Sequence, residues 1–122
     1  MKITKVLPLF LLKTVFTLVV FLSFINSGYS QVVATTNNGA YANVKVYVTN
    51  NCAYADLVVY VTENASYAQG NNGTWAFTNN ANCADKVIFF VDNASYADLI
   101  ICETDNSSYA GWKNTSKKYL MQ

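Results

Sequence analysis

The sequence predicts an all-β fold: one compact domain of short strands generated by a 13-residue repeat. Two observations carry this. Marker asparagines recur at Asn38, Asn51, Asn64, Asn80, Asn93 and Asn106, separated by 13, 13, 16, 13 and 13 residues. Between them lie VKVYVT (44–49), LVVYVT (57–62), TWAFT (74–78), KVIFFV (86–91) and LIICET (99–104). These runs are rich in the branched and aromatic residues that suit a pleated surface.

Ahead of the repeats, MKITK places two lysines before an apolar stretch from Val6 to Ile25. That is the plan of a signal peptide. Gly28 and Ser30 are small residues at the spacing a signal peptidase accepts, so cleavage is expected before Gln31, with 1–30 removed. A retained membrane anchor is the alternative, since the stretch approaches the roughly 20 residues that span a bilayer. Lys13 splits it, however, and a cleavage site follows at once. The mature chain would keep five lysines against seven acidic residues, a net charge of −2. Such a balance makes nucleic acid an improbable partner. The expected localisation is secreted or periplasmic.

Residues 31–40, QVVATTNNGA, read as a divergent first repeat or a linker, and 41–122 as the β-repeat domain. In the next run, Val44, Val46 and Val48 share one face while Lys45, Tyr47 and Thr49 share the other, the period of a half-buried strand. TWAFT and KVIFFV are apolar on both faces. Trp75 and Phe77 correspond in register to Ile88 and Phe90, so these four are expected at the centre of the core, with Lys45 and Lys117 exposed.

The turn unit recurs as faithfully as the strands. After each asparagine comes a small residue (Gly39, Cys52, Ala65, Ala81, Ala94, Ser107). Three places after it stand Tyr41, Tyr54, Tyr67, Cys83, Tyr96 and Tyr109, and each is followed by alanine. Asparagine tolerates the left-handed backbone region and hydrogen-bonds its own chain, so it can bend a strand end. The small residue suggests close backbone approach. Tyrosine can cover a strand end with its ring while its hydroxyl stays wet. The single 16-residue step falls at Gly70-Asn71-Asn72-Gly73, which is expected to be a longer, looser and mobile loop.

The register YADLVVYVTENASYA and the ending AGWKNTSKKYLMQ together resemble the septoil-knot domain, a family of small bacterial proteins without established function. The resemblance covers about 41–122. It implies a compact β fold whose backbone forms a deep seven-crossing knot. Spacing alone shows no knot, and knots are rare. Cys83 in a tyrosine position, the inserted glycine loop and the first copy depart from the pattern.

The chemistry open to this chain is limited. Histidine is absent, which removes the commonest general base and metal ligand. Cys52, Cys83 and Cys102 have no base or positive field placed beside them by the sequence, so an inert or disulfide-bonded role is expected; if a bridge forms, Cys52 to Cys83 is the expected pair. One cysteine is then left over. Asp56, Asp85 and Asp98 could form a calcium-holding column with asparagine carbonyls. The favoured reading is that each accepts hydrogen bonds from nearby backbone N–H groups. The tyrosine series is either turn packing, the favoured reading, or a stacking platform for sugars or peptides. Asn64, Asn72, Asn93, Asn106 and Asn114 fit the glycosylation pattern, a by-product of Asn-rich turns if the source is bacterial, as the resemblance suggests. Lys117 and Lys118 could touch anionic lipid, although a solvated tail is the favoured reading. No catalytic, cofactor-binding or metal residue is assigned and no cofactor is expected. The expected function is an exported non-catalytic structural or binding domain, with a calcium- or carbohydrate-binding module of the cell envelope as the alternative. A cell-envelope protein or glycan is the partner class in view.

Overall fold

A computed structural model describes residues 30–122. The leader expected over 1–30 therefore lies, apart from Ser30, outside the described residues. Each repeat yields one strand and one 3-10 turn. The strands are β1 (Val32–Thr35), β2 (Val44–Val48), β3 (Leu57–Val61), β4 (Thr74–Phe77), β5 (Lys86–Phe90), β6 (Leu99–Glu103) and β7 (Gly111–Trp112). The turns are η1 (Gly39–Tyr41), η2 (Cys52–Tyr54), η3 (Ala65–Tyr67), η4 (Ala81–Cys83), η5 (Ala94–Tyr96), η6 (Ser107–Tyr109) and a terminal η7 (Thr115–Met121).

The recurring asparagine caps each turn. At Asn38, Asn51, Asn80 and Asn106 the backbone is extended, and Oδ1 accepts the N–H two residues on at 3.0 Å. The left-handed conformation expected of these asparagines is not used. Among the described non-glycine residues only Asn71, in the inserted loop, has a positive φ, 44°. A second device precedes the first: Thr36, Thr49, Thr62, Thr78 and Thr104 accept the N–H of the asparagine two residues later at 3.2 or 3.3 Å. Strand, threonine, asparagine and turn thus form one locally satisfied unit.

Six strands close into a parallel barrel in the order β4-β1-β5-β2-β6-β3, with β3 returning to β4. The first three strands alternate with the second three, so every hydrogen-bonded neighbour comes from the other half of the chain. Registers such as Val33 with Lys86 and Val44 with Ile88 join residues 53 and 44 apart. Residues 31–40, ambiguous in the sequence, form β1 and η1 between β4 and β5. The short β7 runs antiparallel to the start of β3.

Alternation sends one set of side chains inward. Val33, Val46, Val59, Trp75, Ile88 and Ile101, one from each strand, are buried together with Val44, Leu57 and Leu99. Each fully buried aliphatic residue here contributes about 1.5–3 kcal/mol. Two of the four residues expected at the core centre belong there, Trp75 and Ile88. The other two do not: Phe77 and Phe90 are 45 % and 42 % exposed. They face the barrel axis as expected but occupy the last inward position of their strands, and among the described residues no element covers that end.

The opposite end is closed. Met121 of η7 is buried with the core, and Trp112 and Leu120 pack against it. Gln31, also buried, donates through Nε2 to Met121 O at 2.8 Å. The glycine loop belongs to this closure and is not loose. Asn71 is 2 % exposed, donates through Nδ2 to Lys118 O, and accepts the Trp112 indole N–H on its backbone oxygen at 3.0 Å. Gly73, with φ +94°, passes so near β3 and β7 that an added Cβ would stand 2.5 Å from Val58 O and 2.8 Å from Gly111 N.

Candidate functional site

Because the strands are parallel and the barrel interior is filled, every connection returns outside the sheet. Turn η1 packs on β5, η2 on β6, η4 on β1, η5 on β2, η6 on β3 and η3 on β4. The turns form a belt around the barrel, reading η3, η4, η1, η5, η2, η6 in the order of the strands beneath them. In η1 and η2 the first residue faces the strand. A Cβ on Gly39 would stand 3.2 Å from the Phe89 ring, which explains the small residue there.

At the equivalent contact of η2 on β6, Cys52 is bonded to Cys102. The expected bridge from Cys52 to Cys83 is therefore corrected, for two geometric reasons. Turn η4 lies over β1, three strands from β6 around a six-stranded barrel, so Cys83 is on the far side. Cys83 also occupies the tyrosine position, which faces solvent; it is an exposed free thiol.

The tyrosines themselves are 69 to 75 % exposed at Tyr41, Tyr54, Tyr67, Tyr96 and Tyr109. They cover little of the strands, contrary to the packing role favoured from sequence; the residue of the unit that is withdrawn from solvent is the alanine that follows, fully so at Ala55 and Ala68. Neighbouring turns leave grooves between them. One of about 520 Å³ is lined by Cys52, Glu103, Tyr109, Trp112 and Lys113. Another of about 430 Å³, between η1 and η5, is lined by Lys45, Phe89, Phe90, Asp92 and Tyr96. Each places an aromatic ring, an ammonium and a carboxylate around a shallow apolar floor.

The recurrent acids have backbone work. Asp56, Asp85 and Asp98 accept the N–H of Ile100, Val32 and Lys45 at 2.9, 3.0 and 2.9 Å. Asn43 does the same for Val87 at 2.8 Å. The side chain extends the ladder onto the neighbouring strand, as the hydrogen-bonding reading expected. The acids are distributed around the barrel, and among the described residues no group of three or more His, Cys, Asp or Glu could hold a metal ion.

Asp56 is the most elaborate of them. Lys117 Nζ lies 3.1 Å from its Oδ2, and Asn114 Nδ2 donates to its Oδ1 at 3.3 Å. Burial alone would raise this carboxyl, but the Ile100 N–H, Lys117 and Asn114 outweigh it and hold it below the ordinary aspartate value. Lys117, expected to be exposed, is half-buried by this pairing. Sequence reading missed the pair because it connects η7 to a residue 61 positions earlier.

The second distinctive surface is the open end. The inward-facing final residues of the six strands are Thr35, Val48, Val61, Phe77, Phe90 and Glu103. Four are apolar, and these are 38 to 45 % exposed.

Fold and surface together define a class: a small parallel β barrel built from tandem repeats, with exposed aromatic residues on the connections. The chain belongs to the 7(1) septoil knot domain family, whose model matches residues 29–113. No match was found among curated proteins, and none among solved structures.

Proposed function

We propose that this protein is an exported, non-catalytic domain of the cell envelope, structural or binding in role. The observation that carries the reading is the belt of tyrosines held clear of the barrel. A ring that large left in solvent serves no purpose in the fold and offers apolar area with a polar tip to a partner. Export is supported by the signal-type leader, and by the Cys52–Cys102 disulfide, a bond that persists in oxidising compartments. The knotted backbone for which the family is named would keep such a domain closed against unfolding and proteolysis.

The two belt grooves favour a carbohydrate as the ligand, since sugars stack on aromatic faces and their hydroxyls bond to carboxylate and ammonium groups. Retention on insoluble envelope polysaccharide tests this. Wild-type protein should be retained, and Tyr96→Ser and Tyr109→Ser together should lower retention at least about tenfold, a loss of about 1.4 kcal/mol, with the thermal midpoint unchanged. Equal retention of wild type and variant would overturn the carbohydrate reading. Mass spectrometry decides export separately: the mature form should begin at Gln31, and an intact Met1 terminus in the membrane fraction would overturn it.

A further inference from the structure

The two grooves of the belt are one groove built twice. Tyr96 in the first and Tyr109 in the second hold the same repeat position, thirteen residues apart. The contact of Gly39 on Phe89 beside one becomes the Cys52–Cys102 disulfide beside the other. The charged groups are not inherited in this way. The repeat places Val58 where Lys45 stands and Glu103 where Phe90 stands. The second groove nonetheless has its ammonium, brought by Lys113 from beyond β7 and held by a bond from its Nζ to Cys52 O at 2.7 Å. Its carboxylate is that of Glu103, where the first groove uses Asp92. An ammonium and a carboxylate beside an exposed tyrosine are thus assembled twice from different positions, which the copying of a repeat does not by itself produce. The third equivalent place is a contrast: Val32, Phe77, Asn79 and Cys83 stand there for Lys45, Phe90, Asp92 and Tyr96, with neither charge nor tyrosine among them.

We propose that the two grooves are paired subsites for a single strand of a neutral, repeating polysaccharide, which crosses the belt from Tyr96 to Tyr109. The inference rests on the carbohydrate reading of the grooves and adds the kind of chain and the way it is held. One cation and one anion balance in each groove, so neither groove selects a charged polymer. Hydroxyl groups both donate and accept, so a sugar can satisfy the ammonium and the carboxylate together. The first groove lies over β2 and β5 and the second over β3 and β6, adjacent pairs in the order β5-β2-β6-β3. Two strand spacings separate them, about 10 Å along the sheet and more at the radius of the belt. A run of linked sugars spans that distance and offers the same group to both grooves. The second contact is then made at high effective concentration, and two shallow sites retain a polymer that either alone would release.

The test measures retention on insoluble envelope polysaccharide in a Cys83→Ser background, so that chains linked through the exposed thiol cannot supply bivalency of another origin. The parent is compared with Tyr96→Ser, with Tyr109→Ser and with the double variant. Both rings are largely in solvent, so all four thermal midpoints should agree. Each single variant should lower retention at least about tenfold, because loss of either groove ends the bridging. Grooves that work independently would give only about a twofold loss in each variant. A single working groove would leave one variant at the parent value. Either of these results overturns the proposal and leaves the carbohydrate reading standing. No retention of the parent, or none lost in the double variant, would overturn that reading itself. Raising salt from about 20 mM to about 500 mM, where the screening length falls to a few ångströms, should leave retention unchanged. A steep fall with salt would show a charged polymer and overturn the assignment of a neutral one.

Discussion

Cys52, the first residue of a turn, lies directly on the outer face of β6 and is bonded there to Cys102, 50 positions later in the sequence, with 5.3 Å between the Cα atoms. The same contact is made without a covalent bond by Gly39 on Phe89. The disulfide thus locks a crossing that the fold makes anyway. Replacing both cysteines by alanine should cost about 2–5 kcal/mol in denaturant unfolding, because a long loop of the unfolded chain is released. Cys83→Ser should cost less than about 0.5 kcal/mol, as for other exposed positions. Thiol titration of the native protein should find one reactive group.

The mouth and the core should separate cleanly by mutation. Trp75→Ala empties the centre of the barrel and should destabilise by about 3–5 kcal/mol. Phe90→Ala removes a ring already 42 % exposed and should cost less than Trp75→Ala, about 1–2 kcal/mol for the buried share of its transfer energy. Equal losses at the two sites would mean that the mouth is covered.

Asp56 ties η7 to the barrel, and its effect depends on pH with a definite sign. Its folded pKa is depressed, so its contribution to stability is present above the unfolded value of about 3.9 and is lost as pH falls through the folded value. Asp56→Asn should destabilise at neutral pH by about 1–3 kcal/mol through the weakened contacts to Ile100, Lys117 and Asn114. The gap between wild type and variant should narrow as unfolding is repeated from about pH 6 down to about pH 2.5. A gap independent of pH would show that the carboxylate charge contributes nothing.

Gly73 is the least replaceable glycine. Its positive φ alone makes alanine cost about 1–3 kcal/mol, and the new Cβ would also press on Val58 O and Gly111 N, both backbone atoms. Gly73→Ala should therefore loosen the closed end and raise Trp112 exposure, read as quenching of its emission. Gly39→Ala, which meets only the movable Phe89 ring at 3.2 Å, should be the milder change.

Refolding of the reduced protein should be slow, on the order of milliseconds to seconds for a sheet of distant partners. Adjacent repeats look local in the sequence, but hydrogen-bonded strands are 44 or 53 residues apart along most of the barrel. Proline isomerisation cannot delay the described domain, since Pro8 is the only proline. Stopped-flow tryptophan emission measures the rate. Completion within microseconds would contradict the interleaved pairing.

Strands and turns were legible because each unit is locally self-consistent: β-branched runs, a capping asparagine and a small residue repeat at fixed spacing. Strand order was not, because six similar units give no local sign of which sits beside which. That gap explains the errors. Phe90 has the same parity as Ile88, and only the missing cover at one barrel end separates them. Cys52 and Cys83 both occupy turn units, but one stands at the inward small position and the other at the outward tyrosine position, a distinction the repeat alignment contained. The Thr-x-Asn bonding was also present in the sequence at five of the turns. The tyrosine belt was visible as a pattern, but its exposure depends on where the connections travel.

The alternation of β1, β2 and β3 with β4, β5 and β6 governs when this domain can come into existence. No two strands within residues 32–61 are hydrogen-bonded to each other, and none within 74–103. A nascent chain that has delivered only its first half has no sheet to form, however long it waits. The barrel assembles only after the second half has arrived to fill the spaces left between the first three strands.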